Sequence, residues 1–231
     1  ALRIAEWFSL TFDVTPKQSE SNGDAQEKSP EPVAQKSEAN GSPPREHTDS
    51  GPNKPLGFEL QNLDAAHPYL TERGLTPETI AEFGLGFCAK GTMNGRVVIP
   101  IHNADGKLLA YAGRWPGQPP EGTPKYKLPA GFKKSLELFN LHRALQLPTE
   151  QPLVIVEGFF GAIKLWQHGC KRVVALMGST LSPAQEELIR RHTNAQSKVI
   201  VMLDEDDAGR AARGEVVQRL ARFVSVKVHA L

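Results

Sequence analysis

Apolar runs and amphipathic segments alternate along the second half of the chain. Apolar runs typical of strands buried on both faces of a sheet lie at 153–156, 173–176 and 198–203. Helical patterns lie at 160–168, from Ser182 onward and at 208–223, and a last strand pattern lies at 224–231. Strands and helices in this order predict an α/β fold over 151–231, with a parallel sheet flanked by helices.

The residues from 56 to 150 show shorter elements and a tight turn. Helices and strands are predicted at 63–73, 76–83, 96–101 and 107–114. The turn Asn103-Ala104-Asp105-Gly106 lies between the two strands and predicts that they form a hairpin. We therefore expect a smaller α+β subdomain ahead of the parallel sheet.

The apolar pattern disappears between residues 14 and 55. This stretch contains 7 of the 18 prolines and no Phe, Tyr or Trp, so it cannot bury enough apolar surface to offset the entropy lost on ordering. We expect a disordered linker. Residues 1–13 carry a short apolar helical pattern, and they are expected to be the end of an upstream domain.

Composition excludes several classes of protein. The chain has no run of 18 apolar residues, which predicts no transmembrane helix. Its two cysteines, Cys88 and Cys170, are too few for a disulfide framework or a four-cysteine zinc site. Their low number favours a reducing, cytoplasmic compartment.

Charge is balanced over the whole chain, with 27 Lys and Arg against 26 Asp and Glu, but it is unevenly distributed. Residues 90–134 contain two acidic and eight basic residues. The basic ones are Lys90, Arg96, Lys107, Arg114, Lys125, Lys127, Lys133 and Lys134. Such a stripe indicates binding to a polyanion. A solvated sheet edge protected by lysines gives the same pattern, and charge alone does not separate the two.

Carboxylates follow two of the predicted parallel strands. Glu157 follows the run at 153–156, and Asp204 and Asp206 follow the run at 198–203. Ligands of such sheets bind beyond the carboxyl ends of the strands, and carboxylates gathered there suit Mg²⁺. The alternative is that the aspartates only cap the next helix and complement its dipole. Glu157 at the same edge favours a metal site.

These segments resemble a Toprim domain, the metal-binding fold shared by DnaG-type primases, type IA and type II topoisomerases and some nucleases. The similar segments are 153–158, 175–181 and 201–212. Earlier residues resemble the first part of the DnaG-type catalytic core, at 69–75, 96–101, 113–114, 124–126 and 138–141. The resemblance runs in order from about residue 63 to 231, and the first dozen residues are similar to the last helix of that family's zinc-binding domain.

The resemblance implies a DNA primase that synthesises short RNA primers on single-stranded DNA by metal-dependent nucleotidyl transfer. Glu157, Asp204 and Asp206 would then be the catalytic, metal-binding carboxylates. The residues that bind nucleic acid or nucleotide would be Arg96, Arg114, Lys125, Tyr126 and Lys127. The implied cofactor is Mg²⁺ or Mn²⁺, with zinc only in an upstream domain. The implied partners are single-stranded DNA, ribonucleoside triphosphates and a replicative helicase.

Two features depart from the family's pattern. Gly161 stands where the family has an Asp four residues after the metal-site Glu, and the chain ends at Leu231 before a further acidic cluster. Both departures remove ligands for additional metal ions. Two alternatives therefore stay open: a Toprim nuclease that uses the same acids, and a non-catalytic module that binds single-stranded DNA.

Overall fold

The computed structural model of the protein describes residues 51–204 and 207–229, the side chains of 207–212 excepted. Its helices are α1 Pro68–Glu72, α2 Pro77–Phe83, α3 Leu141–Ala144, α4 Phe159–Gln167, α5 Pro183–Arg191 and α6 Asp207–Leu220. Its strands are β1 Gly86–Cys88, β2 Arg96–His102, β3 Leu108–Arg114, β4 Tyr126–Lys127, β5 Leu153–Val156, β6 Val173–Ala175, β7 Lys198–Met202 and β8 Ser225–Val228. Within the described ranges, no helix is long and apolar enough to cross a lipid bilayer.

The second half of the chain forms the predicted parallel sheet, with strand order β6-β5-β7-β8 and all neighbours parallel. Both faces of β5 are buried, which explains its uninterrupted apolar sequence. Leu153 and Ile155 pack in one cluster with Ile189 of α5 and Val216 of α6. The α/β prediction for this half is confirmed.

The first half forms an antiparallel sheet with strand order β1-β2-β3-β4. The predicted hairpin joins β2 to β3, and Oδ1 of Asn103 accepts hydrogen bonds from the backbone N–H groups of Asp105 and Lys107 in its turn. The first predicted helix is shorter than expected, because Asp64 pairs with Phe87 of β1 instead of continuing a helix. Strands β1 and β4 were not predicted.

One edge of the parallel sheet is covered by a residue from the first half. Phe139 pairs antiparallel with Ala175 of β6 through backbone hydrogen bonds of 3.0 and 3.1 Å. The side chain of the next residue, Asn140, donates to the carbonyl oxygen of Val173 at 2.8 Å. These contacts give hydrogen-bond partners to backbone groups at the edge of β6, and they hold the first half against the second.

One hydrophobic cluster contains residues of both halves. Val97 and Ile99 of β2 pack in the same cluster as Val154 and Val156 of β5 and Ile163 of α4, and each is 2% exposed or less. Residues of 56–150 and residues of 151–231 therefore contribute to one shared cluster.

The last residues of the predicted linker contact the folded subdomains. Nδ2 of Asn53 donates to the carbonyl oxygen of Lys133 and to Oε1 of Glu137, both at 3.0 Å. Nζ of Lys133 donates to the carbonyl oxygen of Gly51 at 2.8 Å. Gly51 and Asn53, at the end of the predicted linker, therefore contact Lys133 and Glu137. Residues 1–50, which hold the rest of the predicted linker and the predicted upstream segment, lie outside the described residues.

Candidate functional site

Two of the three predicted carboxylates lie at the same edge of the parallel sheet. Glu157 directly follows β5, and Asp204 follows β7 by two residues. Strands β5 and β7 are neighbours, with Val156 opposite Met202, so both acids lie beyond the carboxyl ends of adjacent strands. Glu157 is half-buried with its Oε2 atom fully buried, whereas Asp204 is exposed. Asp206 lies outside the described residues.

The loop after β6 packs against the acid on β5. The backbone N–H of Gly178 donates to the carbonyl oxygen of Glu157 at 3.3 Å, and that of Leu176 donates to the carbonyl oxygen of Val156 at 3.0 Å. Between them, Met177 has a φ of +60°, a left-handed conformation that is costly for a side chain of its size. The loop therefore turns sharply at the sheet edge where the acids lie.

A lysine that sequence reasoning did not single out reaches this loop. Nζ of Lys134 donates to the carbonyl oxygen of Met177 at 3.0 Å. A Cβ atom on Gly178 would lie 3.0 Å from the same Nζ atom, so the glycine leaves the space that the ammonium group takes. Lys134 appeared in the sequence only as one member of the basic stripe. Its position depends on a contact across 43 residues, which no local pattern signals.

The donor set at this edge suits a hard divalent cation. Carboxylate oxygens are the ligands that Mg²⁺ prefers, and one or two of them suffice when waters and phosphates complete the octahedron. Among the described residues there is no group of three or more His, Cys, Asp or Glu residues that could hold a metal ion. The two predicted carboxylates that the structure describes, Glu157 and Asp204, lie beyond the ends of neighbouring strands.

Arg114, at the end of β3, is enclosed by aromatic rings. It is 7% exposed, and its Nε donates to the phenol oxygen of Tyr69. Its guanidinium carbon lies 5.0 Å from the ring centre of Tyr126 and 5.6 Å from that of Phe160. Burial is the largest single effect and lowers the pKa of Arg114, but the hydrogen bonds and charge interactions with Tyr69 and Tyr126 together outweigh it, so the pKa is raised and the group stays charged.

Arg96 occupies a different environment, away from the rings around Arg114. It is 5% exposed, and its Nη1 donates to the carbonyl oxygens of Gly113, Pro124 and Lys125 at 3.2, 3.0 and 3.4 Å. Its guanidinium carbon lies 5.4 Å from the ring centre of Trp115. These contacts support a structural role for Arg96, which joins β3 to the segment that leads into β4.

The basic residues on either side of Tyr126 face solvent next to Arg114, which pairs with Tyr126. Lys125 and Lys127 are exposed, and Nζ of Lys127 donates to the carbonyl oxygen of Thr92 at 2.7 Å. Between them, the ring centre of Tyr126 lies 5.7 Å from that of Phe159, the first residue of α4. Burial raises the pKa of Tyr126, so its phenol is neutral at physiological pH. Tyr126 therefore connects the basic strand to the helix that begins beside Glu157.

Comparison with known proteins shows that the chain is similar to DNA primases. A family model described as Toprim-like matches residues 154–231. The DNA primase of Clostridium acetobutylicum is 29% identical over 207 residues, which cover 72% of this chain and 34% of that protein. The DNA primase of Staphylococcus aureus is 32% identical over 173 residues, which cover 71% of this chain and 28% of that protein. The chain thus spans about a third of the length of the curated relatives it matches.

Solved structures give the same result. The zinc-binding and RNA polymerase domains of the Aquifex aeolicus primase superpose with a TM-score of 0.63 and 28% identity, covering 72% of this chain and 49% of that one. A DnaG primase catalytic domain bound to single-stranded DNA superposes with a TM-score of 0.59 and 27% identity, covering 72% of this chain and 64% of that one. Both structures are similar to this chain in sequence as well as in fold.

Proposed function

We propose a function from the premise that this chain belongs to the family of DnaG-type primase catalytic cores: it synthesises short RNA primers on single-stranded DNA by metal-dependent nucleotidyl transfer. The observation that carries the proposal is the position of Glu157 and Asp204 on adjacent strand ends, beside a basic surface. Relatives that are named DNA primases, and a related catalytic domain bound to single-stranded DNA, support it.

The carboxylates are proposed to hold Mg²⁺ or Mn²⁺. Glu157 and Asp204 supply oxygen ligands at one edge of the sheet, and Asp206 is proposed as the third ligand because it follows Asp204 by two residues. When bound, the cation neutralises phosphate charge and stabilises the attacking and leaving oxygens. The residues around it hold the acids in place, through the hydrogen bond from Gly178 to Glu157 and the pairing of β5 with β7.

The nucleic acid is proposed to lie along the basic residues of β3 and β4. Arg114, Lys125 and Lys127 supply positive charge for phosphates, and Tyr126 supplies a ring beside them. Arg96 was also predicted to bind nucleic acid. Its contacts with three carbonyl oxygens support an indirect role, in which Arg96 holds the backbone of Lys125 in place.

Primer synthesis joins nucleotides when a 3′-hydroxyl attacks an α-phosphate and pyrophosphate leaves. In phosphoryl transfer the protein contributes chiefly by positioning the reactants and neutralising developing charge. Lys134 adds a fixed positive charge at the sheet edge, one loop away from Glu157. Ribonucleoside triphosphates are therefore the proposed substrates, with their phosphates between this lysine and the carboxylates.

The proposal is tested by incubating the 231-residue chain with a single-stranded DNA template, ribonucleoside triphosphates and Mg²⁺ or Mn²⁺, and resolving labelled products by length. We expect short oligoribonucleotides. Glu157→Gln and Asp204→Asn should each lower the yield about 100-fold or more, a typical loss for a charge-stabilising group. Glu187→Gln removes an exposed carboxylate on α5 and should leave the yield unchanged.

Synthesis that survives both substitutions, or a folded parent chain that makes no product, would overturn the proposal. Metal-dependent cleavage of the DNA without nucleotides would assign a nuclease instead. Binding of DNA with neither reaction would assign a non-catalytic module.

A further inference from the structure

A buried glutamine of α5 has both ends of its side-chain amide engaged in hydrogen bonds. Gln185 is 1% exposed, and its Nε2 atom donates to the carbonyl oxygens of Glu137 and Leu176 at 2.8 and 2.9 Å. The carbonyl oxygen of Lys134 lies 3.4 Å from the same atom. Oε1 accepts from the backbone N–H of Ser182 at 3.0 Å, which completes a capping box at the start of α5.

The acceptors of this amide come from segments that are far apart in the sequence. Leu176 directly follows β6, whereas Glu137 lies 48 residues before the glutamine, in the first subdomain. The hydroxyl group of Ser182 donates to the carbonyl oxygen of Ser135, which adds a second bond between the same two elements. The start of α5 therefore joins the loop after β6 to residues 134–137 of the first subdomain.

Two side chains hold consecutive carbonyl groups of the loop after β6. Nε2 of Gln185 donates to the carbonyl oxygen of Leu176, and Nζ of Lys134 donates to that of Met177. Met177 has the left-handed φ of +60° described above. Such a conformation costs free energy, and it persists only where the surrounding structure over-determines it. The two donors supply that constraint.

The next residue of the loop contacts a proposed metal ligand. The backbone N–H of Gly178 donates to the carbonyl oxygen of Glu157 at 3.3 Å. The hydrogen bonds of the Gln185 side chain all go to backbone groups, so this residue reaches the proposed reaction site only through the groups that it positions. Those groups are the loop after β6 and the segment that carries Lys134.

We propose that Gln185 is a positioning residue for nucleotide binding, which holds Lys134 and the loop after β6 in the geometry that receives the phosphates of a ribonucleoside triphosphate. The inference rests on the proposed function for the identity of this substrate. Gln185→Met is the informative substitution, because methionine has a similar length and can pack in the same space but has no N–H group to donate.

The test is a double-mutant cycle that combines Gln185→Met with Lys134→Met in the 231-residue chain. Calorimetric titration with a ribonucleoside triphosphate and Mg²⁺, without DNA, measures nucleotide affinity. Initial rates of primer synthesis over a range of nucleotide concentrations separate KM from kcat. Two residues that act through one contact have non-additive effects, and the cycle measures that coupling.

Gln167 provides a matched control. Its side chain also joins the two subdomains, with Nε2 donating to the carbonyl oxygen of Gly74 and Oε1 accepting from the backbone N–H of Thr76, both at 2.9 Å. Gln167 is the last residue of α4, at the opposite end of that helix from Glu157. Gln167→Met should therefore lower the unfolding midpoint while nucleotide affinity and KM keep their parent values.

Gln185→Met should weaken nucleotide binding about tenfold or more, a typical loss when a residue that orients a binding group is removed. It should raise KM for the nucleotide more than it lowers kcat, because the proposed metal ligands remain. In the Lys134→Met background the same substitution should change affinity by less than about threefold, since the group that it positions is already absent. The affinity for single-stranded DNA, measured by fluorescence anisotropy, should keep its parent value.

Equal losses of affinity in the two backgrounds, or parent affinity in Gln185→Met, would overturn the proposal. Should Gln185→Met fail to fold, Gln185→Asn decides, because it keeps the amide but withdraws it by one methylene group: parent affinity in that variant would overturn the proposal. A parent chain that binds nucleotide but makes no primers would contradict the proposed function alone, since the cycle of affinities still measures the coupling. A parent chain that binds no nucleotide would overturn both.

Discussion

Lys134 and Met177 are joined by a 3.0 Å hydrogen bond, in which the ammonium group of Lys134 donates to the backbone carbonyl of Met177. The bond holds a positive charge at the carboxyl edge of the parallel sheet, next to the loop that contacts Glu157. We expect Lys134→Met to lower the rate of primer synthesis at least about tenfold, because a charge aimed at the phosphates is lost. Initial rates over a range of nucleotide concentrations check this.

The neighbouring lysine provides the control for this substitution. Lys133 donates instead to the carbonyl oxygen of Gly51, on the segment that precedes the first subdomain. Lys133→Met should therefore change the unfolding midpoint more than the rate. Equal losses of rate in the two variants would show that Lys134 has no particular role at the site.

The same glycine substitution should have opposite effects at two positions. A Cβ atom on Gly86 would lie 2.6 Å from Cβ of Leu63, so Gly86→Ala should lower the free energy of unfolding by about 1–3 kcal/mol through overpacking. A Cβ atom on Gly161, an exposed residue of α4, would have Val156 at 3.7 Å as its nearest neighbour. Gly161→Ala should raise the free energy of unfolding by up to about 1 kcal/mol. Urea denaturation of both variants distinguishes them, and a destabilised Gly161→Ala would contradict this expectation.

Arg96 and Lys125 were both predicted to bind nucleic acid or nucleotide, but their contacts support different roles. Arg96→Met removes the donor from three carbonyl oxygens and should lower the free energy of unfolding by about 1–3 kcal/mol. Lys125→Met changes an exposed side chain and should stay within about 0.5 kcal/mol of the parent. It should instead reduce the salt slope of DNA binding by about 0.7. Chemical denaturation and salt-dependent anisotropy of both variants check this. An unchanged stability in Arg96→Met together with an unchanged salt slope in Lys125→Met would contradict the assignment.

Stability should fall in mild acid because of a histidine pair. Burial, together with the charge of Arg143, lowers the pKa of His142 to about 4, and burial also lowers the pKa of His102, whose ring centre lies 4.7 Å away. The unfolded chain therefore takes up protons before the folded one does. The contribution is complete above the ordinary pKa of 6.5 and is lost as the pH falls toward 4.

Because His142 is only partly buried, we expect the loss to be on the order of 1 kcal/mol after solvent screening. His142→Gln should flatten the decline of the unfolding midpoint between pH 6.5 and 4. The remaining decline is due to His102, whose pKa is lowered by burial and by Arg143, while the charge of Glu59 partly opposes that lowering. His168→Gln, at an exposed position, is the control. A decline of the same size in His142→Gln would contradict the assignment.

The parallel sheet was predictable because its strands are buried on both faces. A strand such as β5 then has no polar position, and its apolar run is visible without any partner. The placement of Glu157 and Asp204 followed from that topology alone, since parallel neighbours end at the same edge. The helix boundaries were less accurate, as the pairing of Asp64 with Phe87 shows.

Contacts between distant parts of the chain could not be predicted in this way. The resemblance assigned Arg96 to nucleic-acid or nucleotide binding, but its side chain is buried and donates to carbonyl oxygens of residues up to 29 positions later. The pairing of Phe139 with Ala175 and the reach of Lys134 to Met177 likewise join residues whose sequences give no sign of each other.

The core common to both subdomains has a mechanical consequence. Val97 of β2 and Val156 of β5 pack in one cluster. The sheet that carries the basic residues is therefore packed directly against the sheet that carries the acids. Separating the two sheets would expose apolar side chains to water, at a free-energy cost of about 25 cal/mol for each Å² of apolar surface. This shared cluster therefore sets the spacing between the basic residues of the first subdomain and the acids of the second.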